Sequence, residues 1–128
     1  MLSHIDLSTR ILTLHLPQGQ SAQRALEAAI ELLTERPDLW DWDWIVEAAS
    51  VPDDAGVHHI GSLARIQANT GRRARTVLVS EDRYLHLWAR VMDFQFPNRA
   101  HSVVRSMVEA RALIHPTLRP AGGQVPEG

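Results

Sequence analysis

The sequence predicts a single α/β domain in which about four helices pack on a mixed sheet of four or five strands. Its length of 128 residues, 45% of them apolar, suits one hydrophobic core in a globular chain. Patterns of period two, typical of strands, alternate along the chain with helical patterns, and this order favours parallel pairing through crossover helices. Two short strand patterns at the start predict an antiparallel hairpin.

The first half of the chain contains the predicted hairpin, a helix and a central strand. Strand patterns cover 2–7 and 10–16, and Ser21 is placed to cap the helix that follows. The alternation of Trp and Asp over 40–44 predicts an extended segment that enters a strand at 44–49. The apolar positions of the helix are Ala22, Ala25, Leu26, Ala29, Ile30 and Leu33.

The second half alternates helices and strands. Asp53 and Asp54 are expected to cap a helix, and strands are predicted at 74–79 and 101–105. Between those strands, Ser80-Glu81-Asp82 is expected to cap a helix whose inner stripe is Tyr84, Leu85, Trp88, Val91 and Met92. The inner side of the earlier helix is expected to carry Val57, Ile60, Leu63, Ala64 and Ala68.

The C-terminal segment contains one more helix and a tail. Ser106 and Glu109 form the pattern of a capping box, which predicts a final helix. The aperiodic stretch rich in Pro and Gly that follows predicts a disordered tail. We therefore expect one domain over 1–115 and a tail over 116–128.

Composition excludes several classes of function. The net charge of −2 argues against a dedicated nucleic-acid binder, and no apolar run reaches the roughly 20 residues of a membrane span. The absence of cysteine and of a signal-like start fits a cytoplasmic protein. No serine lies in a nucleophile elbow and no phosphate loop occurs. His58 and His59 are adjacent and would point apart on a helix, and the other five histidines are scattered. We expect no enzyme activity, no catalytic residue, no metal and no cofactor.

Aromatic and basic clusters are the remaining candidate sites. Trp40, Trp42 and Trp44 would lie on one side of an extended segment, either packed under the first helix or forming a surface for a partner or a second copy in a homodimer. Arg72 and Arg73 follow a glycine between a helix and a strand. They could attract a phosphate or an acidic partner, or simply form a solvated turn.

The turn after the central strand carries a resemblance to a known family. The strand at 44–49 leads into Asp53-Asp54-Ala55-Gly56-Val57, followed by His58. With the order of elements over 2–114, and more loosely the stretch 76–112, this resembles the SpoIIAA-like, or STAS, fold of anti-sigma-factor antagonists. Those proteins carry Asp-Ser-Ser-Gly-Leu at this turn, and a partner kinase phosphorylates the second serine. Asp53, Gly56 and Val57 match the pattern, but Asp54 and Ala55 replace the serines.

The resemblance implies a non-enzymatic regulatory module that lacks the phospho-acceptor. It would bind a protein partner, or itself, through Asp53, Asp54, Ala55, Gly56, Val57, His58 and the neighbouring strand ends. The alternative is a protein that binds a lipid-like or anionic small molecule between helices and sheet. Trp44, Tyr84 and Trp88 would line that pocket, and an arginine would hold an anionic head group.

Overall fold

The computed structural model describes residues 1–67 and 73–114, which contain five strands and four α-helices. The predicted α/β class with a mixed sheet is confirmed. Ala68, Arg72 and the predicted tail over 116–128 lie outside the described residues. The elements in order are β1 (Leu2–Asp6), β2 (Ile11–Leu16), α1 (Ala22–Glu35), a 3₁₀ helix (Pro37–Asp41), β3 (Asp43–Ala48), α2 (Val57–Arg65), β4 (Ala74–Val79), α3 (Leu85–Gln95), β5 (Arg99–Val104) and α4 (Met107–Ile114).

The strands lie in the order β1-β2-β3-β4-β5. The β1–β2 hairpin is antiparallel and the other three pairings are parallel, so β3 and β4 are central neighbours as predicted. In this register Leu12 lies opposite Trp44, Trp44 opposite Thr76, and Thr76 opposite His101. These four residues therefore form one row across the sheet, on the same face.

The two faces of the sheet are covered unequally. The face that carries this row packs against α1, α2 and α3 and is called here the three-helix face. The opposite face contributes Ile11, Ile45 and Val77 to a second core cluster, which is closed by Ala110 and Ile114 of α4. Because successive side chains of a strand point to opposite faces of the sheet, one apolar run along a strand contributes to both core clusters.

The predicted caps at two helices are confirmed. Ser21 Oγ accepts a hydrogen bond from the Arg24 N–H at 3.1 Å at the start of α1. At α4, Ser106 Oγ accepts from the Glu109 N–H at 3.1 Å, and Glu109 Oε1 accepts from the Arg105 N–H at 3.0 Å. Both motifs satisfy N–H groups that a helix leaves without intrahelical partners.

The segment that contains three tryptophans differs from the prediction. Trp40 lies in the 3₁₀ helix, Trp42 lies just after it, and only Trp44 belongs to a strand. Pro37 occupies the first position of the 3₁₀ helix, where its fixed φ suits a helical turn, and the Trp42 N–H closes the turn on the Leu39 carbonyl. The predicted extended conformation over 40–44 is therefore wrong for Trp40.

Two side chains that periodicity placed inward are exposed. Tyr84 is 69% exposed and Val57 is 53% exposed. Tyr84 precedes the first residue of α3, and Val57 is the first residue of α2. Periodicity assumes helical geometry on both sides of a residue, so it misplaces side chains at a helix start.

Candidate functional site

An apolar cavity of about 220 Å³ lies between α1, α2, α3 and the three-helix face of the sheet. Its walls are mainly aliphatic and aromatic, and the sequence-predicted residues Trp44 and Trp88 are among them. The volume exceeds the roughly 150 Å³ of an engineered cavity that binds benzene, but it is below the usual range for drug-sized ligands. The polar side chains of the described lining are Ser50, His59, Thr76 and His101.

The two ends of the cavity differ in burial. At one end Trp44, Thr76 and His101 are 3–6% exposed, so that end is closed. The other end meets the loop between β3 and α2, where Val51 and Ala55 are only half-buried. This more open end lies beyond the carboxyl ends of β2 and β3.

His101, at the closed end, is paired with a carboxylate. Its backbone N–H and its Nδ1 each lie 2.9 Å from Oδ1 of Asp93. Burial lowers the pKa of His101 more than Asp93 raises it. Burial raises the pKa of Asp93, but the hydrogen bonds from His101 outweigh it and the net shift is downward. Asp93 is therefore ionised, and the neutral imidazole of His101 donates its Nδ1–H to Asp93 Oδ1.

Thr76 shares this closed end with His101, and Arg99 lies behind it. The Arg99 Nε–H donates to Thr76 Oγ1 at 2.9 Å. Within the described part of the chain the Thr76 hydroxyl appears in hydrogen bonds only as an acceptor. The proton of this hydroxyl is therefore available for a hydrogen bond to a group inside the cavity.

Arg99 is buried and connects β5 to the tryptophan segment. Its guanidinium donates to the carbonyls of Trp40 at 2.9 Å, Trp42 at 2.7 Å and Arg75 at 3.1 Å. Burial lowers the pKa of Arg99 to about 10 against the opposing effect of nearby carboxylates, so the side chain stays charged at neutral pH. It also lies over the ring of Trp44, which fixes one wall of the cavity.

The helix cap predicted at the turn 53–58 is placed differently in the structure. Asp54 does not cap α2. Its carboxylate accepts from the N–H groups of Ala22 at 2.7 Å and Gln23 at 3.3 Å, at the start of α1. The α2 end is held instead by His59 Nδ1, which accepts from the Gly56 N–H at 3.0 Å. Asp54 thus ties the loop at the open end of the cavity to α1.

The other predicted site residues are dispersed. Trp40 and Trp42 are buried in the core at 4% exposure, so they do not present an exposed aromatic surface. Tyr84 does not line the cavity, and its side chain faces solvent. Arg73 is exposed and, together with Asp43, lines a second, separate depression. No arginine appears in the described lining of the cavity, so the predicted anchor for an anionic head group is not found there.

The residues of the turn 53–58 fall into two groups by their exposure to solvent. Asp53, Asp54, Val57 and His58 are exposed, whereas Ala55 and Gly56 are half-buried and line the cavity. The rings of His58 and His59 pack together with their centroids 4.0 Å apart.

Sequence reasoning missed Thr76, Arg99 and His101. Their one signal was polarity inside a strand: Thr76 lies between Ala74 and Leu78 on the inward side of β4, and Arg99 and His101 are the polar inward residues of β5. Across residues 1–67 and 73–114, no group of three or more His, Asp or Glu side chains is arranged to hold a metal ion. The same residues include no helix with the length and apolar character needed to cross a bilayer.

The fold and the cavity define an α/β protein with a mainly apolar cavity between its helices and its sheet. Comparisons with protein-family models, with curated proteins and with solved structures gave no match to this chain.

Proposed function

We propose that this protein binds a small, mainly apolar molecule in the cavity between its helices and its sheet. The observation that carries the proposal is the cavity itself, a space of about 220 Å³ with apolar walls and one closed polar end. A ligand of on the order of ten non-hydrogen atoms suits this volume.

The cost of an unfilled space supports the same conclusion. Protein interiors are packed as densely as organic crystals, and voids larger than a water molecule are few. A cavity of this size forgoes dispersion contacts over its whole lining, which lowers the free energy of unfolding. A bound apolar ligand restores those contacts and stabilises the folded state.

The proposal is tested with toluene as a probe, titrated into the ¹⁵N-labelled protein. We expect amide shifts around the cavity in the wild type and loss of binding in Ala25→Leu, whose larger side chain would occupy part of the space. Ala28→Leu changes a residue of the same helix outside the lining and serves as the matched control. Absence of toluene binding to the wild type, or unchanged binding to a folded Ala25→Leu, contradicts the proposal.

A second candidate function is the STAS-like interaction module, a non-enzymatic regulatory protein of the cytoplasm. The observation that favours it is the exposure of Asp53, Val57 and His58 on the turn that resembles the antagonist motif. A protein partner or a second copy that covered this turn would bury the exposed Val57 side chain.

This second candidate has its own test. If the turn binds a partner or forms a homodimer, Val57→Asp should abolish that association and leave the fold intact. Val108→Asp is the control, since Val108 is also exposed but lies on α4, at the opposite face of the sheet. Equal association of both variants, measured by native mass spectrometry and sedimentation, removes the turn from the interface.

A further inference from the structure

The closed end of the cavity carries chemistry that identifies a class of ligand. Building on the proposed ligand binding, we propose that this end recognises a hydroxyl group, so the ligand is a small alcohol or phenol. His101 Nε2 would accept the proton of that hydroxyl, and the Thr76 hydroxyl would donate to its oxygen.

The role of His101 follows from its contact with Asp93. An ionised carboxylate only accepts hydrogen bonds, so the Nδ1 atom 2.9 Å from Asp93 Oδ1 must carry a proton. A neutral imidazole has a single N–H, which leaves Nε2 as a bare acceptor. The side chain is 3% exposed and lines the cavity, so a ligand can supply a donor that bulk water does not.

Thr76 supplies the complementary group. Its oxygen receives the Arg99 Nε–H, which leaves the hydroxyl proton as a donor. Thr76 and His101 are register partners on adjacent parallel strands, and both line the cavity. An acceptor and a donor thus lie side by side at the end of an apolar space.

Only some functional groups match this pair. A hydroxyl both donates and accepts, so it satisfies both side chains. A hydrocarbon leaves both unpaired, and a carboxylate cannot donate to His101 Nε2 and would approach the charge of Asp93. Arg99 opposes that charge, but it is not in the described lining, and its guanidinium already donates to Thr76 and to three backbone carbonyls.

The test compares two probes of nearly the same shape, toluene and p-cresol, by NMR titration or calorimetry at pH 7.5. We expect the wild type to bind p-cresol about tenfold more tightly, the effect of one or two neutral hydrogen bonds in a dry site. Equal affinities would overturn the hydroxyl inference while leaving apolar ligand binding intact. If neither probe binds, the proposed function fails as well.

Variants assign the preference to the two side chains. His101→Asn retains an N–H that can reach Asp93 but removes the Nε2 acceptor, so the preference for p-cresol should fall to within about twofold. His101→Gln places an amide near the Nε2 position and is the matched comparison. Thr76→Val should also reduce the preference, whereas Thr76→Ser should retain it. A tenfold preference that persists in folded His101→Asn and Thr76→Val would overturn the assignment.

Discussion

The guanidinium of Arg99 lies over the indole of Trp44, with its Cζ atom 3.8 Å from the ring centroid. The indole Nε1–H of Trp44 donates in turn to the Leu39 carbonyl at 2.8 Å. Arg99 therefore joins β5, β3 and the 3₁₀ helix, and its contact with Thr76 positions the hydroxyl at the closed end of the cavity. One buried cation supports both the core and the site.

Arg99→Met should lower the free energy of unfolding by about 3 kcal/mol. The substitution leaves the carbonyls of Trp40 and Trp42 buried without their donor, and it removes the cation–π contact. Urea denaturation measures the change. Arg83→Met is the control, because Arg83 is exposed and its removal should change stability by no more than about 0.5 kcal/mol. Similar losses in both variants would mean that the Arg99 contacts contribute nothing specific.

Local pattern predicted the parts of the fold that local forces determine. The β-branched run at 74–79 forms β4 with the predicted boundaries, and the cap at Ser21 begins α1. The prediction failed at Trp40 because alternating Trp and Asp matches a strand, whereas Pro37 begins a 3₁₀ helix there, and Arg99, 59 residues away, donates to the Trp40 carbonyl. No window of the sequence contains that contact.

The site was predictable only in part, for the same reason. Trp44 and Trp88 were expected in a pocket between helices and sheet, and both line the cavity. The pairing of Thr76 with His101 needs the strand order, which single-sequence patterns do not specify. Asp54 stands near the start of α2 in the sequence, yet its carboxylate binds the start of α1.

Asp54→Ala should destabilise α1 rather than α2. The hydrogen bond from the Ala22 N–H, supported by that from Gln23, keeps the pKa of Asp54 below its ordinary value of 3.8, so the carboxylate is charged at neutral pH and suits a helix N-terminus. We expect faster amide hydrogen exchange at Ala22 and Gln23, and a lower urea midpoint, comparable with the loss in Ser21→Ala. Asp53→Ala changes the adjacent exposed carboxylate and is the matched control. Faster exchange at the start of α2 instead would contradict the assignment.

His101 should make stability depend on pH in the weakly acidic range. Its pKa is lowered by burial in the folded state, so near and below the ordinary value of 6.5 the unfolded chain binds more protons than the folded one. Stability from this group is therefore present at pH 7 and lost as the pH falls below about 6.5. The charged groups facing the ring are Asp93 and Arg99, which oppose each other.

The measurement for this pH effect is urea denaturation at several values between pH 7 and pH 5. The free energy of unfolding should fall more steeply with decreasing pH in the wild type than in His101→Asn, which cannot titrate. His86→Asn, at an exposed position of α3, should retain the wild-type slope. If the free energy of unfolding had the same pH dependence in the wild type and in His101→Asn, the pKa of His101 would not be lowered in the folded state.

Ile60 and Val57 test the orientation of α2 over the cavity. The sequence pattern places both on the inner face of the helix, but Ile60 is 9% exposed and Val57 is 53% exposed. Ile60→Ala should cost about 3 kcal/mol of unfolding free energy, because it enlarges a space already bounded by α1 and α2. Val57→Ala should change the free energy of unfolding by less than about 1 kcal/mol.

Both substitutions replace a β-branched residue by alanine in the same helix, so helix propensity changes in the same direction. The difference between the two variants therefore measures burial. Equal losses in urea denaturation would mean that α2 is rotated from this orientation. The positions of Ala55, Gly56 and His59 at the open end of the cavity would then be wrong as well.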